Sequence, residues 1–116
     1  MSKKIALVAF NGEPMCFVHV LLNALDMNEK GYDVKVVIEG SATKQVNQLL
    51  DEKDPFSNLY SEVVEKGLID CVCLACATKM GAIEGIEKQG LPLSNEMKGH
   101  PSLVKYIEQG YELLTF

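Results

Sequence analysis

The sequence predicts an α/β fold, a three-layer sandwich around a mostly parallel sheet of about five strands. Three observations predict it. A helical pattern ends in Lys or Gln, Gly and an apolar residue four times, at Lys30-Gly31-Tyr32, Lys66-Gly67-Leu68, Gln89-Gly90-Leu91 and Gln109-Gly110-Tyr111. Glycine is the favoured residue at a left-handed helix C-cap, and the apolar residue after it packs back on the last turn. Short apolar runs lie between these signals, as expected of strands covered on both faces. Strands alternating with helices form right-handed crossovers and hence a parallel sheet.

The elements follow in order. Ile5 to Phe10 is a continuous apolar run and reads as the first strand. Pro14 suits the first turn of a helix running to about Lys30, with Phe17, Val18, Leu21, Leu22 and Leu25 as its buried stripe. Val34 to Ile38 is rich in β-branched residues and reads as the second strand. Ser41 to Glu52 is expected to be helical, with Val46, Leu49 and Leu50 inward. Asp54 and Pro55 are expected to cap and start the next helix, where Phe56, Leu59, Tyr60, Val63 and Val64 keep helical spacing. Ile69 to Leu74 is a third strand, rich in Cys. Ile83 to Gln89 and Ser102 to Gln109 read as short helices, with a short extended piece around Leu91-Pro92-Leu93. Glu112 to Phe116 is the last strand. The two most apolar runs, the first and third strands, are expected inside the sheet.

Composition narrows the function. The chain has 116 residues, the size of a single domain over 1–116, and 47% of them are hydrophobic. Such a chain buries a core without disulfides or metal staples, so its four cysteines are not needed to hold the fold. All 11 basic residues are Lys, against 16 acidic ones, for a formal net charge of -5. An acidic chain without Arg argues against a nucleic-acid partner. Met1-Ser2-Lys3-Lys4 is charged, but the apolar run behind it is too short for a secretory signal and Asn11-Gly12-Glu13-Pro14 breaks it. No run approaches a membrane span. The expected location is therefore cytoplasmic, where thiols stay reduced and clustered cysteines serve catalysis, redox chemistry or metals.

In open parallel sheets, ligands bind beyond the carboxyl ends of the strands, near the topological switch point. Three loops qualify: Asn11 to Cys16, Glu39 to Ser41, and Cys73 to Met80. The third carries Cys73 at a strand end and Cys76 in the first turn of a short helix that Gly81 terminates. Backbone N–H groups at a helix start favour a thiolate, and Lys79 adds positive charge. Cys73 is therefore expected to be the most reactive thiol, able to carry a persulfide, with Cys76 as its resolving or receiving partner. Cys71, earlier on the strand, reads as a small buried hydrophobe. Cys16 and His19 lie three apart on one helix face, beside Asn11 and Gly12, and form a reserve group. His19 is expected to be packed or solvent-facing, and His100, before Pro101, to belong to a helix entry. Glu13 and Glu39 are expected at solvated surface positions. No cofactor is expected: no GxGxxG follows the first strand, and one CxxC without a second pair is not the usual structural zinc pattern.

The segment Cys73-Leu74-Ala75-Cys76-Ala77-Thr78-Lys79-Met80-Gly81 resembles the motif of the DsrE-like family of small sulfur-relay proteins. In that motif a strand-ending Cys is followed eight residues later by Gly, with basic residues just before it. Lys79 matches one basic position and Met80 departs from the other. The resemblance also covers the helix near Cys16, Val37-Ile38-Glu39-Gly40 and Leu113-Leu114-Thr115-Phe116. It implies a flavodoxin- or Rossmann-like topology and a persulfide-carrying Cys73 in a sulfurtransferase-type relay. It also implies sulfur donor and acceptor proteins as partners, and assembly as a homotrimer or homohexamer. Two other readings stay open: a thiol-disulfide or redox-sensing module using Cys73 and Cys76, and an oligomeric binding protein with inert cysteines.

Overall fold

A computed structural model describes residues 3–116; Met1 and Ser2, which begin the charged opening stretch, lie outside the described residues. Five strands form one parallel sheet: β1 (Lys4–Ala9), β2 (Asp33–Ile38), β3 (Ile69–Cys73), β4 (Leu93–Ser94) and β5 (Glu112–Thr115). Their order is β4-β3-β2-β1-β5. Both β1 and β3 are interior strands, as their apolar runs require, and β2 is the middle one. Side chains alternate along β1: Ile5, Leu7 and Ala9 join the larger core, while Ala6 and Val8 join the smaller one on the opposite face.

Helix α1 (Pro14–Glu29) and helix α3 (Ser57–Glu65) supply the larger core through Phe17, Val20, Leu21, Tyr60 and Val63. The opposite face is covered mainly by α6 (Val104–Glu108), whose Tyr106 packs with Tyr111 on Val37 and Cys71. A register shift between β2 and β3 at Val36/Val37 places Asp70 and Cys71 on that same side, where the Tyr106 hydroxyl reaches both. The Cys71 thiol is buried and pushed up by burial, the behaviour of a small core residue.

The helix ends use one device. In each case the N–H after the glycine bonds the carbonyl five residues back, as Tyr32 does to Met27, Leu68 to Val63, Leu91 to Ile86 and Tyr111 to Tyr106. The four predicted glycines all have positive φ, between 68° and 89°. Gly81 ends α4 (Leu74–Lys79) in the same way, with Ala82 bonded to Ala77.

Four local expectations are corrected. Residues 41–52 do not form one helix. Gly40–Lys44 is a 3₁₀ segment, followed by the four-residue α2 (Gln45–Gln48). This stretch is tied to the loop after β1, Gly12 N–H donating to Ser41 Oγ and Gln45 Nε2 to the Gly12 carbonyl, so it bends to follow that loop. Leu50, beyond its end, is 52% exposed rather than inward. Leu22 on α1 is also exposed, because the sheet takes up Phe17, Val20, Leu21 and Ala24. Asp54 closes a turn on the Phe56 N–H, and α3 begins only at Ser57. The short helix predicted over 83–89 is α5 (Ile83–Lys88).

Candidate functional site

Strand β3 ends at Cys73, which is also the N-cap of α4: its Sγ accepts from Cys76 N–H at 3.4 Å. The helix turn sets Cys76 beside it. The third member comes from the loop between β4 and α6. There Met97 and His100 exchange backbone hydrogen bonds of 2.7 and 3.0 Å around Lys98 and Gly99, both with positive φ. This tight turn presses Gly99 onto the start of α4, where its carbonyl accepts from Ala75 N–H at 2.8 Å. It delivers His100 Nδ1 to 3.0 Å from Cys73 Sγ and 3.8 Å from Cys76 Sγ. Glu96 anchors the same loop, accepting from Ser94 Oγ, Lys105 Nζ and Ser102 N–H. The Lys105 contact above all holds its carboxyl down at about 2.

The two sulfurs differ in access. Cys73 is fully buried, whereas Cys76 is half-buried and lines a cavity of about 440 Å³ with Phe10, Ser41, Lys79 and His100. Removal from solvent pushes the Cys73 thiol up to about 12. The Cys76 N–H opposes that rise, while the Cys76 thiol and the Glu39 carboxylate add to it. The expected lowering by a helix start is thus outweighed by desolvation. A protonated Cys73 also suits the Gly99 carbonyl, 3.6 Å from its sulfur. Ionising Cys73 needs a nearby acceptor for its proton, and the His100 imidazole stands at that place. Glu39, expected at a solvated position, is buried; burial raises its carboxyl and the nearby His100 opposes the rise.

The reserve group does not join this cluster. Cys16 and His19 share a face of α1, with Cys16 half-buried and His19 exposed. Neither lines the cavity nor has a ligand atom in the Cys73-Cys76-His100 group. Asn11 closes a turn on Glu13 N–H, and Gly12 is a packing position where a Cβ would collide with the Ser41 carbonyl. Glu13 caps α1, accepting from Met15 and Cys16 N–H groups. Lys79 does line the cavity. The site also stands at β3, away from the reversal of strand order between β1 and β5. His100 is the residue sequence reasoning missed. Its only local signal was the Lys98-Gly99 turn pair just before it.

A family model for the DsrE/DsrF-like family matches residues 4–116. The protein belongs to the DsrE/DsrF-like family. An uncharacterised protein of Methanocaldococcus jannaschii is 37% identical over 97 residues, covering 84% of this chain and 77% of that protein. An uncharacterised protein of Archaeoglobus fulgidus is 46% identical over 43 residues, 37% of this chain and 70% of its own. No solved structure matches. The five-stranded parallel sheet with helices on both faces agrees with the fold that the family implies. No helix among the described residues is long and apolar enough to cross a membrane.

Proposed function

We propose that this DsrE/DsrF-like protein carries sulfur as a cysteine persulfide, with Cys76 as the entry thiol and Cys73 as the thiol that holds it. The observation that carries the reading is one imidazole nitrogen within 3.0 Å and 3.8 Å of two thiols, one buried and one facing a cavity. His100 Nδ1 takes the proton of Cys76. The thiolate attacks the outer sulfur of a donor persulfide R–S–SH; the donor S–S bond breaks, and the leaving R–S⁻ takes the proton from the imidazolium. A second transfer of the same kind moves the outer sulfur to Cys73, whose burial shields the new S–SH from competing thiols. Lys79, at the cavity, favours an anionic donor group. The partners on this reading are sulfur donor and acceptor proteins, met by a homo-oligomer, trimeric or hexameric.

The CxxC spacing favours one competing reading. If Cys73 attacks the inner sulfur of the Cys76 persulfide, a Cys73–Cys76 disulfide forms and hydrosulfide leaves, which is thiol-disulfide chemistry. Incubation of wild type, Cys73→Ser, Cys76→Ser and His100→Ala with glutathione persulfide, followed by peptide mass analysis, decides between them. The expected result is one added sulfur on Cys73 in wild type, slower loading in Cys76→Ser and His100→Ala, and sulfur only on Cys76 in Cys73→Ser. A Cys73→Ser protein that loads and retains sulfur like wild type removes the role given to Cys73. A disulfide with free sulfide in wild type replaces the carrier with the redox module.

A further inference from the structure

The sulfur reading uses Cys73, Cys76 and His100 one at a time, yet the fold holds all three donor atoms together. Each offers one ligand atom, and these atoms lie within 4.8 Å of one another. We infer that Cys73, Cys76 and His100 form a zinc site with three protein ligands and a fourth position open to the cavity. The sequence holds one CxxC and no second such pair. The third ligand lies 24 residues beyond Cys76 and arrives only through the turn at Lys98-Gly99.

The geometry can be compared with what a zinc ion requires. Zn–S bonds of about 2.3 Å and a Zn–N bond of about 2.0–2.1 Å at tetrahedral angles put sulfur and nitrogen about 3.6 Å apart. Cys76 Sγ and His100 Nδ1 are 3.8 Å apart, already at that spacing. Cys73 Sγ, at 3.0 Å from the same nitrogen, moves outward by about half an ångström to match the tetrahedral spacing. The Cys76 N–H is in place to donate to a metal-bound Cys73 sulfur, and outer contacts of this kind orient ligands.

Charge points the same way. A lone thiolate at the fully buried Cys73 is costly, since a charge taken out of water needs a partner. Two thiolates and Zn²⁺ together carry no net charge, so the same burial opposes them far less. Two sulfurs and an imidazole suit zinc better than hard cations, and three protein ligands with an open place is the pattern of reactive rather than structural zinc. Cys76 and His100 both line the cavity, so the open position faces it, with Lys79 there to favour an anionic fourth ligand such as hydrosulfide. A bound ion engages both thiols, so metal and sulfur loading exclude each other.

The test is titration of the reduced full chain with Zn²⁺ against a chromophoric chelator, and with Co²⁺ followed by absorption. The expected result is one ion per chain and thiolate-to-cobalt charge-transfer bands with tetrahedral d–d intensity. Cys76→Ser and His100→Ala are each expected to weaken binding at least tenfold, while Cys16→Ser and Cys71→Ser leave it unchanged. Circular dichroism reports whether each variant is folded. Zinc bound equally well by the Cys73→Ser/Cys76→Ser double variant, or a cobalt form without sulfur bands, overturns the site. So does a wild-type protein that takes up sulfur normally but no metal, which leaves the carrier reading intact. A protein that binds zinc through these ligands but never takes up sulfur upholds the site and removes the carrier reading instead.

Discussion

Cys73 and Cys76 are three positions apart and chemically unequal. Solvent reaches Cys76 through the cavity, while Cys73 is enclosed and its proton firmly held. Alkylation at neutral pH followed by peptide mapping is therefore expected to label Cys76 well before Cys73, with Cys73 catching up only as the pH becomes strongly alkaline. Stability follows from the same burial. The unfolded thiol ionises near its ordinary value of 9.0, whereas the folded one stays protonated to about 12. Between those values the folded state binds more protons than the unfolded one, so stability falls as pH rises through that window. Below pH 9 the contribution is fully present. Denaturant titrations at pH 8 and pH 11 are expected to show a smaller alkaline loss in Cys73→Ala than in wild type; equal losses would remove Cys73 as a cause.

Among the elements, the helix ends are the most regular feature, and their glycines differ from the others in what they do. Gly67 has a φ of 68°, and a Cβ there would meet nothing within 4 Å. Its cost on substitution is conformational alone. Gly67→Ala is expected to destabilise by about 1 kcal/mol, measured by urea unfolding with an unchanged m-value. At Gly12 the obstacle is different, since the Ser41 carbonyl occupies the space a side chain would need. Gly12→Ala therefore separates the loops after β1 and β2 and is expected to cost more than Gly67→Ala. The short elements carry the chemistry: α4 is six residues and β4 is two, and the cluster exists because one loop turn joins them.

For the whole molecule, the sheet is unequally covered. Its larger core is sealed by α1 and α3, while the opposite face rests chiefly on five-residue α6. On α6 the side chains of Val104 and Ile107, three apart on one helix face, remain exposed, by 58% and 57%. Exposed apolar side chains gathered on one side are characteristic of subunit contacts. Sedimentation at micromolar concentrations is expected to give a trimer or hexamer, and Ile107→Lys to shift it toward smaller species. A monomer across that range would rule out the assembly.

The layout of the fold was legible in the sequence because its signals are local. A glycine with positive φ acts within one helix turn, and the continuous apolar runs at Ile5 and Ile69 report burial on both faces without reference to neighbours. The pairing of Cys73 with Cys76 was legible for the same reason, being a helix-turn spacing. The bend at residues 40–48 was not, because it follows contacts from Gly12, about 30 residues away. Nor was the burial of Cys73 that reverses the effect of the helix start on its thiol, since desolvation depends on everything packed around the sulfur. His100 is the clearest case. Its role depends on β4 lying against β3 and on a two-residue turn bending the chain back over α4, and only the tertiary structure brings that imidazole to the two thiols.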